Sequence, residues 1–91
     1  MDLLLEDRVE QAFRYLQPSD ANHITKIIQA LKQESFENLR TRFDIHKLSS
    51  PGEQVFVLRA TPRLRILFKY TEDQTLVIED IVSHEMLKKF F

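Results

Sequence analysis

The chain has no cysteine and only one glycine, Gly52, among its 91 residues. Without cysteine there is no disulfide, no thiolate metal site and no cysteine nucleophile, and the expected compartment is a reducing one, the cytoplasm. A single glycine cannot form a Walker A loop or a dinucleotide-binding turn, because both bring several glycine backbones close to phosphate. Long apolar runs are missing as well. Met1-Asp2-Leu3-Leu4-Leu5-Glu6-Asp7 sets three leucines between acids with no basic flank, unlike a signal peptide. No stretch comes near the roughly 20 apolar residues that span a bilayer, so no membrane partner is expected. Charge of one sign is also lacking: 13 Lys and Arg face 14 Asp and Glu, a net −1, where nucleic-acid-binding domains are usually strongly basic. His23, His46 and His84 lie far apart and none has a partner at zinc-helix spacing, while no serine sits in a nucleophile elbow. Neither a metal nor another cofactor is expected.

What the chain does have supports a packed interior. Hydrophobic residues make up 43% and charged residues 30%, a balance that suits one domain over residues 1–91. Leu5, Val9, Ala12, Phe13 and Leu16 fall on one helical face, which Pro18 should end. Ser19, Asp20 and Asn22 offer caps for a second helix, whose apolar stripe is Ile24, Ile27, Ile28 and Leu31. From Ser35 to Leu48 the reading is a short helix on Phe36, Leu39 and Phe43, then a loop, although Ile45 and Leu48 also fit an extended run. Ser49-Ser50-Pro51-Gly52 reads as a turn.

Beyond that turn the period changes from helix to strand. Gln54 to Ala60, Leu64 to Tyr70 and Thr75 to Ser83 are rich in β-branched and aromatic residues. The links between them are too short for crossover helices, so the three should pair as an antiparallel meander. His84 to Phe91 reads as a short helix or tail anchored by Met86, Leu87, Phe90 and Phe91. The expected fold class is therefore α+β: an amino-terminal helical hairpin on one face of a three- to four-stranded antiparallel sheet, with a short carboxy-terminal helix or tail.

The middle strand carries the chemistry. Alternation places Leu64, Ile66, Phe68 and Tyr70 on one face and Arg63, Arg65, Leu67 and Lys69 on the other. From Val55 to Lys69 there are Arg59, Arg63, Arg65 and Lys69 with no acid, a local positive patch inside a nearly neutral chain. Such a patch attracts phosphate-bearing or acidic partners. Basic residues on an open sheet face are also commonly just solvated, or guard an edge against aggregation. His84 stands at the end of the last strand and is the residue type best suited to proton transfer near neutrality, although a histidine at a strand end is often only a surface or capping residue.

The run Val55-Phe56-Val57-Leu58-Arg59-Ala60-Thr61-Pro62-Arg63-Leu64-Arg65-Ile66-Leu67-Phe68, followed by Ile78-Glu79-Asp80-Ile81-Val82-Ser83-His84, resembles the core signature of RelE/ParE toxins. The helical hairpin bending at Leu16-Gln17-Pro18 and the Lys47-Leu48 pair fit the same succession. This resemblance implies a RelE-like fold and the toxin of a toxin–antitoxin module, bound by a cognate antitoxin protein. Its implied activity is a metal-independent endoribonuclease that cleaves mRNA, commonly on the ribosome. Members of the ParE branch instead inhibit DNA gyrase by binding, and an inactive antitoxin-binding relative is a further alternative. By the resemblance, Arg65 contacts the scissile phosphate with help from Arg63, and His84 is the acid or base. Arg59, Lys69, Lys88 and Lys89 contact the RNA backbone, and His46 sits where some members place another catalytic group. The near-neutral charge, the phenylalanines Phe90 and Phe91 in place of a carboxy-terminal tyrosine, and Val55 and Val57 in place of lysines depart from the ribonuclease pattern. The family's amino-terminal strand is reduced to Leu3-Leu4-Leu5 at most.

Overall fold

Stripes of aliphatic side chains at helical spacing fix the first layer. In the computed structural model, which describes residues 2–48 and 54–90, a short strand β1 (Leu3–Leu5) leads into α1 (Asp7–Phe13), α2 (Pro18–Gln33) and α3 (Phe36–Arg42). Ile24, Ile27, Ile28 and Leu31 of α2 are all buried, as the spacing predicts, and Val9 and Leu39 bring α1 and α3 to the same core. The helix starts have identifiable causes. Pro18 does not end the first helix but opens the second, where its missing N–H and fixed φ suit the first helical position. The first helix stops earlier, at Phe13, and Gln17 caps α2 without a side-chain bond, so the expected caps Ser19, Asp20 and Asn22 lie inside it. Ser35 caps α3, its Oγ accepting from Asn38 N at 3.2 Å.

The rest of the described chain is β2 (Ile45–Lys47), β3 (Phe56–Arg59), β4 (Leu64–Tyr70), β5 (Leu76–Ser83) and α4 (His84–Phe90). The sheet order is β1-β5-β4-β3-β2. The three expected strands do form an antiparallel meander, with Arg59 opposite Arg65 and Arg65 opposite Val82. Two three-residue strands extend it. β2 takes the stretch read as loop and pairs antiparallel with β3, while β1 pairs parallel with β5, Leu3 against Leu76. The sheet is therefore five-stranded and mixed, where three or four antiparallel strands were expected. Ser49-Ser50-Pro51-Gly52 lies outside the described residues.

Alternation along β4 holds as read. Leu64, Ile66, Phe68 and Tyr70 face the helices, and Phe68 stacks on Phe56 with ring centroids 5.6 Å apart. The opposite face is not simply basic. Val55, Val57, Leu67 and Val82 form a second, smaller apolar cluster there, joined by Leu48 and by Leu87 of α4. Helices consequently cover both faces of the sheet, and the expectation of one covered face is corrected by this tail helix. Of the expected tail anchors, Leu87 packs and Met86 is half exposed, while the side chains of Phe90 and Phe91 lie outside the described set. α4 starts directly at the end of β5 because Ser83 caps it, its Oγ accepting from Met86 N at 3.0 Å. Among the described residues no helix is long and apolar enough to cross a membrane.

Candidate functional site

Arg65 lies near the start of the central strand β4, on the face away from the core helices, and only 9% of it is exposed. Its guanidinium is anchored by the loop that joins β3 to β4. Nη1 donates to the carbonyls of Thr61 at 2.7 Å, Leu64 at 3.1 Å and Pro62 at 3.3 Å. Nη2 reaches Nδ1 of His84 at 3.2 Å. Since a guanidinium can only donate, Nδ1 is the acceptor in this contact and the neutral ring carries its proton on Nε2. The strand arginine and the histidine that opens α4 are thus in direct contact.

Electrostatics sharpen the site. Burial holds the Arg65 pKa below its ordinary value, and Arg59 pushes the same way, while Asp44 opposes them. Arg59 is the cross-strand partner of Arg65, and like charges directly opposite one another destabilise a sheet. Among the described residues, the hydrogen-bond partners of Arg65 are uncharged. A largely buried cation that hydrogen-bonds to no carboxylate among the described residues is costly even with Asp44 nearby, and an anionic ligand relieves that cost.

These groups line an open cleft of about 260 Å³ whose walls include Asp44, His46, Arg59, Arg65 and His84 above an apolar floor of Leu48, Val57 and Leu87. His46 and Asp44 face each other, Nε2 to Oδ1 at 2.8 Å. Asp44 escaped the sequence reading. Its signal was the two-residue spacing to His46, which puts both side chains on the same side of an extended chain. His84 also borders a second cleft of about 370 Å³, shared with Pro62, Arg63, Ser83 and Glu85. His84 therefore borders both clefts, with Arg63 in one and Arg59 and Arg65 in the other.

The remaining basic residues separate by position. Lys69 shares the face of Arg65 but bonds Glu79 at 2.8 Å at the far end of the strand. Lys88 and Lys89 are exposed on the last turn of α4. His23 lies on α2, with Nε2 2.9 Å from the carbonyl of Ala60. Among the described residues no group of three or more His, Cys, Asp or Glu side chains is placed to hold a metal ion.

No known protein-family profile matches the sequence, and no curated protein matches it significantly. Solved structures do. YafQ from Escherichia coli strain BL21(DE3) superposes with a TM-score of 0.78 at 17% identity, over 94% of this chain and 96% of that one. RelE in the archaeal RelE–RelB complex from Pyrococcus horikoshii OT3 gives 0.74 at 18% identity, over 90% and 92%. The YoeB dimer from Staphylococcus aureus gives 0.70 at 12% identity, over 92% and 97%. These neighbours are toxins of toxin–antitoxin systems. Identities this low with coverage this complete mean a shared backbone arrangement: the chain has the RelE-like fold of the RelE/ParE toxins.

Proposed function

We propose that this chain is the toxin of a toxin–antitoxin module and acts as a metal-independent endoribonuclease on mRNA, in association with the ribosome. The observation that carries this reading is Arg65, a nearly buried residue whose guanidinium donates to uncharged groups, set on the wall of a cleft beside Arg59 and His84. RNA cleavage by internal attack needs three things: a base for the ribose 2′-hydroxyl, cations for the charged phosphorane, and a donor for the departing 5′-oxygen. Side chains of the cleft supply each. Arg65 and Arg59 hold the scissile phosphate, with Arg63 reaching it from the adjoining cleft. Asp44 holds Nε2 of His46, which leaves Nδ1 as the basic nitrogen, the logic by which a carboxylate orients a histidine base. His84, its Nδ1 occupied by Arg65, offers Nε2–H as a hydrogen bond to the leaving oxygen, and the proton that oxygen takes up is the one His46 removed from the 2′-hydroxyl. Lys88 and Lys89, together with Arg59 and Arg63, contact flanking phosphates.

The fold supports an antitoxin as the protein partner, since the Pyrococcus horikoshii RelE is held in complex with RelB. The direct test is cleavage of mRNA on purified ribosomes by the parent and by Arg65→Ala and His84→Gln, with folding checked by circular dichroism. Cleavage by the parent and its loss in both variants supports the reading. Variants that cut as well as the parent remove these roles, and inhibition of gyrase supercoiling without RNA cleavage replaces the nuclease with a ParE-like binding toxin.

A further inference from the structure

The loop from Ala60 to Leu64 leaves none of its carbonyls unused. Ala60 O meets His23 Nε2 at 2.9 Å, Thr61 O and Pro62 O take Arg65 Nη1, Arg63 O accepts from His84 N at 2.7 Å, and Leu64 O accepts from Ala60 N at 3.0 Å. A short polar loop does not aim consecutive carbonyls at one cation by default. Here the amides are drawn to the other side. The Thr61 hydroxyl accepts from Arg63 N at 3.2 Å and from Leu64 N at 3.0 Å, a side-chain turn that gathers the N–H groups inward and leaves the Thr61 and Pro62 carbonyls facing Arg65. Pro62 has no N–H to place, and its φ is fixed. His23 then holds the start of the loop to α2. A ring nitrogen facing a carbonyl oxygen must carry hydrogen, so His23 donates.

We infer that Thr61 is the positioning residue of the cleft and that His23 assists it: the Thr61 hydroxyl shapes the carbonyl cradle that fixes Nη1 of Arg65, and through Nη2 sets the tautomer and orientation of His84. The inference rests on the nuclease reading only for its kinetic consequence. Its structural consequence stands apart from any activity. The cradle holds the guanidinium plane still before a ligand arrives, and a fixed donor loses less on binding than one that must first be ordered.

The experiment compares Thr61→Val, which keeps the shape and loses the acceptor, with Thr61→Ser, which keeps the acceptor. Nitrogen-15 NMR of the imidazole reports which nitrogen of His84 carries the proton, and single-turnover cleavage on ribosomes reports rate and affinity separately. In the parent and in Thr61→Ser, His84 holds its proton on Nε2. In Thr61→Val that preference is lost and the cleavage rate falls about tenfold with little change in affinity, the size of one lost hydrogen bond in a transition state. His23→Leu, a change on an exposed helix face, shows the same pattern more weakly, and His23→Gln restores it. Unchanged His84 signals in Thr61→Val overturn the inference, as does a Thr61→Ser variant as impaired as Thr61→Val. If the tautomer changes as expected but even the parent cleaves no RNA, positioning stands and the nuclease reading falls.

Discussion

Arg65 and Lys69 occupy the same face of the same strand, separated by roughly 13 Å at ~3.3 Å per residue, and their charges are treated in opposite ways. Lys69 bonds Glu79, the residue that the register shift of β5 leaves without a partner on β4, and Arg8 approaches the same carboxylate at 3.8 Å. Arg65 receives three backbone carbonyls, a histidine and a second arginine across the strand pair. At one end of β4 the cation is paired directly with a carboxylate, while at the other the guanidinium is held by carbonyls and a histidine and opens onto a cleft. Sequence alone puts the two cations in the same class. The difference lies in which residue of the neighbouring strand sits beside each.

The largest effect that would break this comparison comes from Arg65→Ala, expected to lower RNA cleavage about 100- to 1000-fold, the usual loss for one donor to a developing charge. A fall of less than tenfold in ribosome-dependent cleavage would put Arg65 on a par with any surface cation. Val82→Glu sharpens the contrast by giving Arg65 what Lys69 already has, a carboxylate on the neighbouring strand. Competition for the guanidinium should weaken RNA binding about tenfold or more, as measured by fluorescence anisotropy. Lys69→Ala should act at the other end and on stability instead. Loss of the Glu79 pair costs of order 1 kcal/mol in urea unfolding, less at high salt, and leaves cleavage within about threefold of the parent. The smallest effect belongs to Tyr70, the last residue of β4, whose pKa burial raises above its ordinary 10.0. That contribution is fully present below pH 10.0 and is lost as pH rises through the raised folded value, because the unfolded chain ionises while the folded one still holds its proton. Urea melts between about pH 9 and pH 11 should therefore show a decline that Tyr70→Phe lessens.

Long periodic segments were legible in the sequence from their period, and short ones were not, although the family resemblance did mark Leu3-Leu4-Leu5 as the remnant of an amino-terminal strand. The seven residues of β4 alternate apolar and basic often enough to reveal both strand and faces, and the stripe of α2 spans a full two turns. β1 and β2 have three residues each, too few to display any period, and they are strands because β5 and β3 offer them open edges. Pro18 carried a real signal that was read from the wrong side, since proline at the first position of a helix and proline beyond the end of one look alike in sequence. Arg65 and His84 were found through residue type and position, and the structure places them 3.2 Å apart. Asp44 and the Thr61 turn were missed because they act through the groups they orient, and orientation depends on a register that sequence does not supply.

The pairing of β1 with β5 joins Leu3 to Leu76, whereas β3, β4 and β5 are linked through brief turns. Closing a loop of that length is entropically slow compared with zipping adjacent hairpins. The meander bearing Arg59 and Arg65 should therefore assemble early and exchange its amide hydrogens last, while the parallel strand at the rim docks late and opens first.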